Sequence, residues 1–334
     1  MEDYLATVAA TLLGLAVILY VLLDGFGLGI GILFPSARTE AERDEMMNTI
    51  APFWDGNQTW LVLGGGGLLV AFPLAYSILM PALHIPILVM LLGLVLRGVS
   101  LEYRWVAKPH HRWWDRAFFC GAIIATFAQG CILGGILHGV TVRNNEFAGG
   151  IFDWLTPFSL FCGAGLIAGY ALLGACWLNF KTTGILQDRS RRYAKGALFF
   201  VLMFMGGVSL WTPYQFPFIA KRWFNPHNLL FLWPVPVITA TGALFAYEAL
   251  RRRRELAPFI AAIGIFLCGF VGLGVSICPY AVPPSITIYG AAAPPPSLIF
   301  GLMGIIFVLP LVLVYTAFVY WTFRGKVLPR EGYH

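Results

Sequence analysis

Few ionisable residues of this chain lie inside its long apolar runs, and their chemistry sets the question. Asp24 interrupts the run 5–34, where an acid costs about 2.5–3.5 kcal/mol unless it finds a partner or a water-filled path. Arg97 is the one basic residue well inside another run, 84–103. The stretch 51–60, APFWDGNQTW, places Trp54, Asp55, Asn57 and Gln58 at the doorway of a third run, 58–80. A carboxylate, two amides and an indole at a membrane boundary suit proton entry. Plainer roles exist for each: Asp24 as a satisfied acid pinning helices, Asp55 as a helix N-cap, Trp54 as an interfacial anchor. A rise of 1.5 Å per residue puts Arg97 about 10 Å and Asp24 roughly 14 Å from the same membrane face. The two charges can therefore meet, and the combination points to proton or ion handling. Glu102, Tyr103 and Arg104 follow Arg97 at the boundary, where Arg104 is expected to snorkel to water.

Glycines surround these residues. The segment 25–31, GFGLGIG, departs from G-x-G-x-x-G at its third glycine and continues a membrane helix, so it is no dinucleotide fingerprint. Gly25 and Gly29, like Gly27 and Gly31, have the four-residue spacing that lets helices approach closely. Gly64 to Gly67, with Gly64 and Gly65 foremost, are costly inside a helix unless a neighbour packs on them. The six cysteines fall within or beside apolar runs without a C-x-x-C pair, which argues against zinc, iron–sulfur or disulfide chemistry. His84 and His138 sit near the outer ends of runs, whereas His110, His111, His227 and His334 fall between them. No metal or haem site is expected in this chain.

The elements that must position these groups follow from composition. Of 334 residues, 59% are hydrophobic and only 11% charged, with mean hydropathy +0.77. Ordinary soluble domains carry roughly 25% charged residues, so this is an all-α, polytopic membrane protein. Nine apolar runs are long enough to span: 5–34, 58–80, 84–103, 116–142, 154–180, 194–211, 229–250, 259–280 and 298–323. The acidic start Met1-Glu-Asp-Tyr does not resemble a secretory signal, and the first run reads as a retained span.

Basic residues sort by alternate loops. Arg38 and Arg43, then Arg104 to Arg116, Lys181 to Lys195, the run 251–254, and Arg324 to Arg330 fall on one side; Arg143, Lys221 and Arg222 fall on the other. The positive-inside rule places the rich side in the cytoplasm, the N-terminus outside and the C-terminus inside. The net charge of +6 is thus topological, and nucleic acid is excluded as a partner. The loops are too short for a soluble domain, so function lies in the membrane or with a partner. The last outer loop is stiffened by Pro279, Pro283, Pro284 and 294–296, as a cap over a partner's site or as a connector. From these residues a proton-coupled secondary transporter and a non-catalytic membrane scaffold remain open.

Four motifs in order narrow the choice: LDGFGLGIG at 23–31, MMNTIAPFWDGNQTW at 46–60, RGVSLEYR at 97–104, and PYAVPPSITI at 279–288 followed by AAAP to Pro294. With them nearly the whole chain resembles subunit II of cytochrome bd-type quinol oxidases, nearer the short cyanide-insensitive branch. The resemblance implies nine spans as two four-helix bundles, about 1–150 and 151–334, the second with a peripheral helix, in one integral membrane domain. It implies a bacterial inner-membrane location and a subunit I that carries haem b and haem d, or a further haem b. Small single-span subunits, quinone and lipid are further implied partners. Asp24 and Asp55 match acids assigned to a cytoplasmic proton route, Arg97 matches its intramembrane arginine, and Trp54 matches a residue near a bound quinone in some members. The chain departs from the family at Gly27 and Gln58, where acids are common, and at Tyr289 and Gly290, where Trp and an acid are usual. Expressed alone, this chain is expected to bind no haem; a stoichiometric Soret band in the isolated subunit would contradict this.

Overall fold

The structure, a computed structural model, describes residues 2–107, 111–226, 228 and 232–327. Its helices are α1 (Glu2–Leu33), α2 (Glu40–Asn48), α3 (Trp54–Ala71), α4 (Pro73–Ala82), α5 (His84–Val106), α6 (His111–His138) and α7 (Pro157–Lys181). There follow α8 (Gly184–Gln215), α9 (Pro217–Trp223), α10 (Pro234–Arg251), α11 (Ala257–Ile277), α12 (Ile288–Ala291) and α13 (Pro295–Thr322). Among the described residues seven helices are long and apolar enough to cross a membrane: α1, α5, α6, α7, α8, α11 and α13.

The run expected to form one span over 58–80 is broken into α3 and α4. Pro73 cannot donate a backbone hydrogen bond and disfavours helical geometry at the preceding residue; Phe72 accordingly leaves the helix at φ −134°, ψ 61°. The break is stabilised from outside, since Ala293 N–H donates to the Ala71 carbonyl at 2.9 Å. The run expected over 229–250 is seen as α10, and residues 229–231 lie outside the described residues. Two short hairpins form between helices: β1 (Val142–Arg143) pairs with β2 (Glu146–Phe147), and in the Pro-rich loop β3 (Tyr280–Val282) pairs with β4 (Ile286–Thr287). Val140 N–H bonds the Pro283 carbonyl at 3.2 Å, docking the later hairpin on the end of α6. Asn144 and Asn145, at φ 51° and 63°, supply the left-handed pair that a tight turn between β1 and β2 requires.

In a bilayer, apolar side chains gain little by leaving lipid, so helices associate through close packing of small residues. The α1–α7 contact shows this: a Cβ on Gly29 would collide with the Tyr170 backbone, and one on Gly174 would lie 2.7 Å from Ile30 N. On α5 and α6, Gly93 and Gly121 abut each other's helix backbone at 2.7 Å. Gly25 packs under the Tyr170 ring, whereas Gly64 has only Val17 at 3.9 Å and Gly65 has nothing within 4 Å.

One end of the bundle is strongly charged. There α2 begins with Thr39 capping Glu42 N–H, and Arg189 pairs with Glu42 at 2.8 Å. Burial pushes the Glu42 carboxyl up, but Arg189 and the Arg38 N–H outweigh it and hold Glu42 below the usual carboxylate range. Arg104 does not snorkel. It is 3% exposed, bonding Asp115 through Nε at 2.6 Å and Asp44 through Nη1, because α2 and the start of α6 fold over it with acids that pair with the guanidinium.

Gly29→Val is expected to destabilise the fold by at least about 1–3 kcal/mol through overpacking, lowering both thermal midpoint and yield in detergent. Gly65→Ala, in open space, is expected to be neutral or stabilising. Equal midpoints for the two variants would contradict the packing account.

Candidate functional site

Asp24 occupies the continuously buried stretch of α1 from Asp24 to Gly31. On α5 the buried positions Met90, Gly93, Leu94, Arg97, Gly98, Leu101 and Arg104 recur at helical spacing, which turns Arg97 inward. The glycine contact of α5 with α6 then seats the Arg97 backbone 2.7 Å from the Cβ position of Gly121. Arg97 Nη2 donates to Asp24 Oδ1 at 2.8 Å, with side chains 0% and 1% exposed.

The pair is held by a single bond and is not bidentate. Among the described residues, Asp24 Oδ2 and Arg97 Nε and Nη1 have no hydrogen-bond partner. Leaving such groups unpaired costs about 1–3 kcal/mol each, more when charged.

Polar side chains that no motif singled out surround the pair. Tyr20 stands one turn before Asp24 on the same face of α1. Gln129 Nε2 donates to Tyr20 Oη at 2.7 Å, and Tyr170 Oη donates to Gln129 Oε1 at 2.9 Å. Thr126, fully buried, lies one turn from Gln129 on α6. On the charged side of Asp24, Asn57 Nδ2 donates to the Leu23 carbonyl at 2.7 Å, and Tyr320 donates to Asn57 Oδ1 at 3.2 Å. Spacing offered a signal for Tyr20, Thr126 and Gln129, as polar residues sharing one face of an apolar run. Nothing local marks Tyr320, which meets Asn57 only through the tertiary fold.

The remaining expected residues are placed as follows. Asp55 is exposed in the first turn of α3, two residues before Asn57, whose amide reaches the residue preceding Asp24. Trp54 is half-buried with its ring 3.0 Å from the Cβ position of Gly98. Gln58 Nε2 is buried with no partner among the described residues. Gly27 faces the ion pair. His84 and His138 are exposed at helix ends, with His138 against the Phe216 ring, and His111 lies 3.4 Å from Glu40. Among the described residues no group of three or more His, Cys, Asp or Glu side chains gathers that could hold a metal ion; His110, His227 and His334 lie outside the described residues.

Fold and site together define a polytopic helical membrane protein with a buried acid–arginine pair. A family model for cytochrome bd terminal oxidase subunit II matches residues 5–323, and the chain belongs to that family. It is 27% identical to cytochrome bd-I ubiquinol oxidase subunit 2 of Escherichia coli strain K12, over 96% of this chain and 94% of the relative. It is 31% identical to a probable cytochrome oxidase subunit 2 of Haemophilus influenzae, over 78% of this chain and 77% of the relative. The fold matches a chain in the structure of bd oxidase from Geobacillus thermodenitrificans with TM-score 0.77 and 18% identity, covering 96% of this chain and 98% of that one.

Breaking a buried pair by removing one partner costs about 3–5 kcal/mol, whereas removing both charges is far milder. Arg97→Gln is therefore expected to lower the yield of assembled protein, and Arg97→Gln with Asp24→Asn to recover it. A double variant that assembles no better than Arg97→Gln alone would contradict the partnership.

Proposed function

We propose that this chain supports a haem-bearing subunit I in oxidising quinol and reducing oxygen to water, and supplies the proton entrance through Asp55 and Asp24. Membership of the subunit II family supports the oxidase assignment. The observation that carries the proton reading is the buried Asp24–Arg97 pair with its open carboxylate oxygen.

Reduction of one oxygen molecule to two waters consumes four electrons and four protons. The haems, held by the partner, supply the electron transfer and oxygen chemistry. The residues of this chain handle protons. Asp55, exposed at the charged end, takes protons from bulk water; Asn57 and Gln58 line the first turn of α3 beyond it. Asp24 receives them at Oδ2, while Arg97 supports the carboxylate at Oδ1 and keeps an isolated acid ionisable away from water. Trp54, packed on Gly98, offers its free ring face to a quinone or lipid.

Orientation follows from charge. The loop arginines and lysines gather at the end that holds Arg104, Lys181 and Arg189, so this end faces the cytoplasm, with the N-terminus outside and the C-terminus inside. Counting α3 with α4 as one crossing and α10 as another gives nine spans. In this arrangement α1 and α3 to α6 form the first bundle, α7, α8, α10 and α11 the second, and α13 the peripheral helix. The exposure of α13, in which only Leu298 is buried, supports the last assignment. The interlocked α1–α7 contact argues that both bundles form one membrane domain, which suits a bacterial inner membrane.

Asp24→Asn and Asp55→Asn are each expected to lower quinol oxidase turnover per haem by about tenfold or more, equivalent to about 1.4 kcal/mol on the barrier, without loss of haem. Unchanged specific activity would return both acids to a structural role.

A further inference from the structure

Beside the ion pair, Gly27 leaves room for a methyl-sized group. A Cβ on Gly27 would meet Asp24 Oδ1 first, at 3.6 Å, and Arg97 Nη1 next, at 3.8 Å. Arg97 Nη1 and Asp24 Oδ2 are both buried and unpartnered among the described residues.

A third unpartnered group stands at the same level. The packing of α1 on α6 is antiparallel: Gly31 faces Ala122 and Phe118, while Tyr20 meets Gln129. Thr126 is four residues beyond Ala122 and three before Gln129, so it lies opposite the Asp24–Gly27 turn. Its hydroxyl is also set apart from others in these helices. Thr182, Ser190 and Thr212 bond back to the carbonyls of Leu178, Leu186 and Val208 at 2.7–2.8 Å, the usual resort of a hydroxyl in a helix. Thr126 Oγ1 is fully buried and has no partner among the described residues.

We propose that Thr126 is a positioning residue whose hydroxyl, with Arg97 Nη1 and Asp24 Oδ2, holds one ordered water in the space beside Gly27, and that this water hands protons to Asp24. Buried waters make two to four hydrogen bonds to polar groups otherwise unsatisfied, and three such groups stand at this level of the bundle. Arg97 Nη1 donates to the water oxygen; the water donates to Asp24 Oδ2 and to Thr126 Oγ1. One lone pair remains. An incoming proton binds there as one of the water's own protons passes to Oδ2, so one O–H bond forms as another breaks and the water is regenerated. Toward α7 the site is closed. The Gln129 amide, already committed to Tyr20 and Tyr170, neither takes nor gives up a proton readily.

The water's role rests on the reading of Asp24 as a proton-route acid, whereas its site rests on geometry alone, and two measurements separate them. A cryo-EM map of the intact oxidase complex that resolves waters is expected to show a peak within hydrogen-bond distance of Asp24 Oδ2, Arg97 Nη1 and Thr126 Oγ1. The peak should vanish in Thr126→Val and return in Thr126→Ser. Absence of the peak in the parent overturns the proposal. Turnover per haem is expected to fall at least fivefold in Thr126→Val and to recover in Thr126→Ser. If Asp24→Asn slows turnover but Thr126→Val does not, the water is no proton carrier and the proposal fails while the route stands. If Asp24→Asn leaves turnover unchanged, the route fails and the proton-carrying part of the proposal falls with it.

Discussion

One charged contact inside the membrane, Arg97 on Asp24, sets demands that much of the surrounding structure meets. Neither charge is tolerable alone among apolar helices. For the two to meet, α5 and α1 must both pack closely on α6, and that is where Gly93 and Gly121, and Gly31 against Ala122, stand. The small residues thus serve an electrostatic end. They bring a guanidinium and a carboxylate to 2.8 Å with both side chains essentially sealed from the surroundings.

Different polar groups lie on the two sides of the pair. Toward the charged end, Asn57 and Tyr320 tie α3 and α13 to the α1 backbone just before Asp24, and the exposed acid Asp55 begins the same helix. Toward the opposite end, Tyr20, Gln129 and Tyr170 form a closed hydrogen-bonded set, above which apolar packing resumes. The proposed proton route would enter from the charged end and stop at this polar layer. Burying a charged pair is weak evidence for stability on its own.

Much of this was legible in the sequence because the membrane restricts the solutions. Long apolar runs had to be helices, and Asp24 and Arg97 stood out as charges within them, at depths that allowed contact. Three features were not legible, each for a physical reason. The break at Pro73 reads as a tolerable kink until the Ala293 N–H is seen to satisfy the freed Ala71 carbonyl. Arg104 looked like a boundary residue free to reach water, but its acids arrive from α2 and α6, and no spacing within α5 announces them. Tyr320 and Tyr170 join the site from helices far along the chain, through packing that hydrophobic periodicity does not encode.

The account stands on Asp24 changing protonation as the oxidase works. Infrared difference spectroscopy of the assembled complex, recorded as the reduced enzyme reacts with oxygen, reads this directly through the C=O stretch of a protonated carboxyl. The account predicts a carboxyl band that changes during turnover and is missing from Asp24→Asn at matched haem content. A spectrum unchanged by Asp24→Asn would contradict it.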